Sequence, residues 1–295
     1  QKQATRQQQR ALLQETGLLP HSQEASPFSN SPLLAAQQDS GDIPLAGVEL
    51  VNSIGGTYMG LTVQENIAYL GEGTTVTILD VSDATNPQKL AAISLPDRVR
   101  DMDIEGTLLF VANYALGGVQ IVDISTPATP RILGSYDTPG ETLRVDVVGN
   151  RAYVADARSG MHILDVSDPT TPTLLGSYTD VGAITGVQVA NSIAYVSDYF
   201  QGLLVLDVSN PAAPVLIGSY DIPQESWNLQ LVDNLVYMTH YVADPPSDPD
   251  EPNPPPNDEL HIIDVSNPRA PAVAGIYTGL DAAVNLFVAD RLVYV

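Results

Sequence analysis

The sequence predicts an all-β fold: a β-propeller of four-stranded antiparallel blades, about six in number with the last one truncated, and seven in the full-length protein if one more repeat follows. Three observations predict it. Asp-Val-Ser or Asp-Ile-Ser occurs five times, starting at Asp80, Asp123, Asp165, Asp207 and Asp264, each followed closely by proline. The spacings are 43, 42, 42 and 57 residues, and the last falls to 42 once about 15 residues of an acidic, proline-rich stretch are set aside as an insertion. Within each period, short runs rich in Val, Ile, Leu and Tyr alternate with Gly, Asn and Pro turns, and helical spacing is absent.

The elements follow in chain order. Residues 1–46 are Gln-rich, with a short helix around Ala11-Leu12-Leu13, then rich in Ser, Pro and Asn; they are expected to form a linker with a solvated tail carrying Lys2, Arg6 and Arg10. Residues 47–295 form the propeller. Leu50-Val51-Asn52-Ser53-Ile54 stands where later copies have Leu-Leu-Gly-Ser-Tyr, so Gly47 to Ile54 reads as an orphan outermost strand. Five complete blades follow, with the insertion at 243–259 in the fifth. In the third, Leu143 to Val148, Arg151 to Ala155, Met161 to Val166 and Leu174 to Tyr178 are the four strands, named a to d from the axis outward. Strands a and b of a sixth blade run to Val295. The chain is expected to be truncated there, with the N-terminal strand closing the ring and the incomplete blade least stable, because its edge hydrogen bonds are unpaired. A tandem of immunoglobulin-like sandwiches would need about 100 residues per unit, far more than the period found.

The recurring Leu-Asp-Val-Ser-Asp-Pro, Ile-Val-Asp-Ile-Ser-Thr-Pro and Ile-Ile-Asp-Val-Ser-Asn-Pro resemble the LVIVD-repeat family over residues 47–295. That resemblance implies a β-propeller of secreted or cell-surface bacterial and archaeal proteins. It implies no general enzymatic activity and transfers no catalytic motif to particular residues.

Charge excludes further classes. Twelve Lys+Arg against 35 Asp+Glu give a net charge of -23, the reverse of what a phosphate-gripping surface needs, so no nucleic-acid partner is expected. Acidic lipid would be repelled too, and no apolar run approaches the roughly 20 residues of a membrane span, so no direct membrane insertion is expected. With zero cysteines there is neither a disulfide framework nor a thiolate site. The chain starts at Gln1 without a charged-then-apolar leader, so a signal peptide is expected to be absent or already removed. Of the acids, 25 are Asp and 10 Glu, a bias toward the residue that favours turns.

Strand order separates two faces. The Asp-Val/Ile-Ser corners lie on the bottom, hardly vary, and read as turns in which Asp binds nearby backbone. The d–a and b–c loops share the top, where copies differ and a ligand site is expected. At the end of strand b the equivalent residues are Glu72, Asn113, Asp156, Asp198 and His240, with Tyr114, Tyr199 and Tyr241 next. At the entrance to strand a they are Arg98, Glu141 and Glu225, then Met59, Arg100, Leu143, Thr185 and Trp227. Deeper lie Asp101, Arg144, Asn228 and Asn285, then Thr62, Asp103, Asp146, Gln188 and Gln230. Two readings compete for these polar positions. One is a wet axial channel held by hydrogen bonds and ion pairs, such as Asp101 or Asp146 with Arg144. The other is a pocket for a glycan, peptide or protein, with Arg98, Arg100, Glu141, Arg144, Asp156, Asp198, Tyr199, Trp227, Asn228 and His240 as contacts.

Asp101, Asp103 and Asp146 are candidate hard-oxygen ligands, for which calcium is the cation of choice, although the spacing is not that of an EF-hand; no other cofactor is expected. The insertion acids Asp244, Asp248, Asp250, Glu251, Asp258 and Glu259 read as an extended acidic loop over the top face. His162 and His261 share a strand-c position and are expected to face outward, leaving only His240 toward the site. No nucleophile elbow, His-Glu-x-x-His or phosphate loop is present in the sequence. The expected function is a non-catalytic extracellular or cell-surface binding or scaffolding module. The alternative is a hydrolase or lyase on an extracellular polymer, using Glu141 with Glu225 or Asp156 with Asp198.

Overall fold

In the computed structural model of the chain, the residues described are 58–222, 225–241, 258–280, 286–289 and 292–294. Blade one is β1 (Tyr58–Gln64), β2 (Ile67–Glu72), β3 (Thr75–Asp80) and β4 (Gln88–Ser94); blade two is β5 (Asp101–Glu105), β6 (Leu108–Ala112), β7 (Val119–Asp123) and β8 (Arg131–Tyr136). Blade three is β9 (Arg144–Val148), β10 (Arg151–Ala155), β11 (Met161–Asp165) and β12 (Thr173–Tyr178), and blade four is β13 (Ile184–Ala190), β14 (Ile193–Asp198), β15 (Gly202–Asp207) and β16 (Val215–Tyr220). Blade five is β17 (Glu225–Val232), β18 (Leu235–Tyr241), β19 (Asp258–Asp264) and β20 (Ala272–Leu280). A two-stranded sheet, β21 (Phe287–Ala289) with β22 (Leu292–Tyr294), follows. In each four-stranded sheet consecutive strands pair antiparallel. One four-residue helix, α1 (Tyr114–Gly117), fills the b–c loop of blade two.

The sheets form a propeller because both of their faces are apolar and each packs on its neighbour. Tyr153, Met161 and Ile163 of blade three meet Ile184, Val187 and Val196 of blade four, and parallel clusters join blades one to two, two to three, four to five and five to six. Burying each such side chain contributes roughly 1.5–3 kcal/mol, so the stabilisation lies between blades. The expected orphan strand at 47–54, the linker 1–46, Asn285 and most of the insertion lie outside the described residues. Asp258 and Glu259, expected in the acidic loop, are instead the first two residues of β19.

The corners behave as the repeat predicts. Asp80, Asp123, Asp165, Asp207 and Asp264 each accept the backbone N–H two residues on, at 2.9, 3.0, 2.9, 2.9 and 2.8 Å. Hydrogen bonds from Ser82, Ser125, Ser167, Ser209 and Ser266 hold these carboxyls below their ordinary value. The glycine of the outermost strand has a job in the next blade. A Cβ on Gly134, Gly176 or Gly218 would run into the carbonyl of Pro169, Pro211 or Pro268, the proline of the following corner. Glycine in Leu-Leu-Gly-Ser-Tyr therefore lets each corner dock on the preceding blade.

Candidate functional site

The innermost strands β1, β5, β9, β13, β17 and β21 surround one cavity of about 710 Å³. Asp101, Asp103, Arg144, Asp146, Gln188, Asn228 and Gln230 line it. Their role is visible in the spacing of their partners. Asp103 Oδ2 accepts Val147 N–H at 2.7 Å, Asp146 Oδ2 accepts Val189 N–H at 2.8 Å, Gln188 Oε1 accepts Leu231 N–H at 2.5 Å and Gln230 Oε1 accepts Val288 N–H at 2.6 Å. Asp101 Oδ2 does the same for Val145 N–H at 3.0 Å. Each bond runs from one inner strand to the backbone of the next, so these side chains join blades whose sheets share no ladder. Against the larger effect of burial, the Arg144 charge acts to lower the carboxyl of Asp101, while Arg144 Nη1 donates to the carbonyls of Leu143 and Arg100, at 3.1 and 3.4 Å. The three carboxylates read as calcium ligands thus each give an oxygen to a neighbouring blade.

That placement costs the acids ionisation. Burial pushes the carboxyl of Asp146 up to about 7, with Asp103 and Asp101 adding like charge. Burial raises Asp101 and Asp103 as well.

The strand-b ends form a second system. Asp156 Oδ2 accepts Gly140 N–H at 2.6 Å and Oδ1 accepts Thr142 Oγ1–H at 3.3 Å. Asp198 accepts Gly182 N–H and Ala183 N–H on Oδ2, at 2.7 and 3.2 Å, and Phe200 N–H and Gln201 N–H on Oδ1, at 2.9 and 3.0 Å. Asn113 Oδ1 accepts Asp97 N–H at 3.0 Å, and its Nδ2 donates to Asp97 O. All three side chains are fully buried and each ties strand b to the d–a loop 16 residues earlier. Asp156 and Asp198, expected to contact ligand, are loop clamps with both oxygens engaged.

Of the residues expected at the entrance to strand a, Met59 lines the channel. Pairing in β1, β13 and β17 skips Met59, Thr185 and Trp227, so each sits at a β-bulge, which re-aims a side chain. Arg100 and Leu143 precede their strands and donate their N–H groups to Ala112 O and Ala155 O, both at 2.8 Å. Arg100 lies with its guanidinium 5.6 Å from the Tyr114 ring centre, and burial together with the nearby Arg144 cation lowers its pKa. Glu141 is buried beside it, Arg98 is exposed, and Asn228 Oδ1 accepts Leu229 N–H at 2.8 Å. Between blades four and five the half-buried Trp227 meets the buried Tyr199 edge-on at 5.4 Å, and Tyr199 meets Phe200 edge-on at 4.8 Å. Phe200 is 51 % exposed, with the Arg158 guanidinium 5.5 Å from its ring centre.

Blade five departs from the clamp pattern. His240 is 3 % exposed and its ring centre lies 5.4 Å from that of His261, itself 6 % exposed. His261 Nε2 is 2.8 Å from Glu259 Oε2. Burial, then the neighbouring His261, holds His240 below its ordinary pKa. The outward orientation expected for His162 and His261 is overturned. Both are buried, because a blade packs on two neighbours and has no solvent face near its middle. His162 Nδ1 meets Ser177 Oγ at 2.8 Å, and its Nε2 is 3.3 Å from Asp156 Oδ2. Sequence reasoning missed Phe200, Arg158 and Glu259. Phe200 was findable as the residue after Tyr199 in a b–c loop, where Leu116 is also exposed.

The LVIVD repeat model matches residues 55–91, 98–138, 139–180, 182–222 and 256–279. No curated protein matches the chain. Among solved structures, a Bacteroides uniformis protein provisionally assigned as a 6-phosphogluconolactonase superposes with a TM-score of 0.63 at 13% identity, covering 81% of this chain and 77% of that one. Its Bacteroides fragilis counterpart gives 0.61 at 12% identity, over 78% and 74%. The N-terminal domain of Nup159 gives 0.50 at 12% identity, over 74% of this chain and 61% of its own, so the chain spans less than two thirds of that domain. At such identities the likeness is one of fold.

Proposed function

The chain belongs to the LVIVD-repeat family, and from that premise we propose that it is a non-catalytic binding or scaffolding propeller working outside the cell or at its surface. It takes a glycan, peptide or protein ligand on the face of the d–a and b–c loops. The observation that carries this reading is the aromatic step between blades four and five, where Trp227 and Phe200 flank the fixed ring of Tyr199 and Arg158 lies over Phe200. Rigid aromatic surface with a cation at its edge suits sugar faces and peptide side chains alike. Arg100, Arg144 and Asn228 extend the polar contacts toward the channel. Engagement of Asp156 and Asp198 by backbone favours the module over a hydrolase, since an acid–base pair needs oxygens free to exchange protons.

The test is a glycan and peptide array probed with the full chain, followed by Trp227→Ala and Phe200→Ala. We expect a hit that either substitution weakens at least about tenfold, corresponding to one lost aromatic contact. Binding that survives both changes would sink the assignment. Turnover of an ester or polysaccharide abolished by Glu141→Gln or Glu225→Gln would establish the enzyme instead.

A further inference from the structure

Blade five carries a side-chain cluster found in no other blade among the described residues. His240 of β18 stands opposite Glu259 of β19, and His261 follows two residues on. Cross-strand partners share a face of the sheet, as do residues two apart on one strand, so all three project from the same side. One donor atom from each lies within 4.8 Å of the other two. A second observation points to what joins them. Nδ1 of His240 is buried without a hydrogen-bond partner, a state that calls for an ion or another group to complete it, and His261 turns its Nε2 toward Glu259 at 2.8 Å.

The repeat makes the cluster more specific. The position of Glu259 is held by Gly118, Gly160 and Gly202 in blades two to four, each with positive φ and with backbone of the outermost strand in the space a Cβ would need. Glu259 takes that place in the one blade where extra residues separate strands b and c. In blade three, the positions of His240 and His261 are filled by Asp156 and His162, and Asp156 is committed to Gly140 and Thr142. Among the described residues, blade five alone has an imidazole at the clamp position and a third donor beside it.

We propose that His240, Glu259 and His261 bind one divalent transition-metal ion of the zinc class, leaving a fourth position for water or an external donor. Two imidazoles and a carboxylate are a borderline donor set suited to such ions, whereas calcium asks for six or more oxygens. Ligands about 2.1 Å from a tetrahedral ion stand about 3.4 Å apart, so small side-chain rotations close the present spacing. The neighbouring carboxylate of Asp258 adds negative charge near His240. The ion would fasten the end of β18 to the start of β19, the two strands that residues 242–257 separate in sequence.

The test is titration of the chelator-treated full chain with zinc chloride, read by calorimetry and by ring-nitrogen NMR of the four histidines. One equivalent should bind, moving the His240 and His261 signals and leaving His21 and His162 in place. Glu259→Gln should weaken binding at least about tenfold, and His162→Gln should leave it unchanged. The NMR readout on the unaltered chain holds even if a variant folds poorly. Absence of one-equivalent binding at micromolar zinc, binding with the His240 and His261 rings unmoved, or an affinity indifferent to Glu259→Gln would each overturn the proposal.

Discussion

Blades three and five fill the same two top-face positions in opposite ways. In blade three an acid, Asp156, gives both oxygens to the d–a loop and sits beside His162, whose other ring nitrogen is held by Ser177. In blade five the equivalents are His240 and His261, and a buried ring nitrogen on each has no partner. Nε2 of His162 is likewise without a hydrogen bond, but it lies 3.3 Å from the Asp156 carboxylate, whereas blade five has an imidazole where blade three has that acid. A repeat shows its function where a copy stops serving the scaffold, and variation alone is a poor guide. Asn113, Asp156 and Asp198 differ in charge or in partners yet do one job.

Four changes break or sharpen that contrast. The largest effect is expected at Asp198→Ala, which strands several main-chain donors and should cost about 3 kcal/mol in urea denaturation. Next comes Gly176→Ala, which drives a methyl into the carbonyl of Pro211 and should cost about 2 kcal/mol by separating blades three and four. A third change has the opposite sign. The folded carboxyl of Asp146 titrates about 7 against about 3.9 in an unfolded chain, so the folded state keeps a proton that the unfolded state releases between those values. Its contribution to stability therefore falls as pH rises from about 4 to about 7 and stays low above. Asp146→Asn keeps an acceptor for Val189, as the amides Gln188 and Gln230 do in the next two blades, and removes the repulsion from Asp103. Discounted for the open channel, it should stabilise by about 1 kcal/mol at pH 8 and by nothing measurable at pH 4, as a thermal melt at each pH will read. The smallest change is Asp165→Ala on the exposed corner. Its carboxyl is depressed by Ser167, so what it contributes is present at neutral pH and disappears as pH falls below the carboxylate range. The stability difference between Asp165→Ala and the unaltered chain should be visible at pH 7 and vanish at low pH.

The fold was legible because a 42-residue period punctuated by Asp-Val-Ser corners leaves few alternatives, and the corner hydrogen bonds followed from Asp in a turn. The site was legible as positions and misread as roles. Asp103 and Asp146 look like free acids in sequence, because the N–H groups that hold them belong to Val147 and Val189, one blade away. Gln at the same position in blades four and five was the available clue: a place that takes Asp or Gln needs an acceptor, and charge is incidental. His162 and His261 were assigned outward because their shared strand-c position holds Thr77, Gln120 and Leu204 in other copies, and a propeller blade buries both. Glu259 was absorbed into the proline-rich run before it, so the third donor of blade five stayed hidden until the strand was seen to begin at Asp258.

The most direct test of the contrast between the two blades is a paired denaturation of metal-stripped protein carrying either Asp156→Ala or His240→Gln. A clamp that the loop depends on should cost about 3 kcal/mol when removed, whereas an imidazole whose Nδ1 has no hydrogen-bond partner should cost under about 1 kcal/mol. Equal losses, or a larger loss at His240, would contradict the division of the top face into a finished scaffold and an open site.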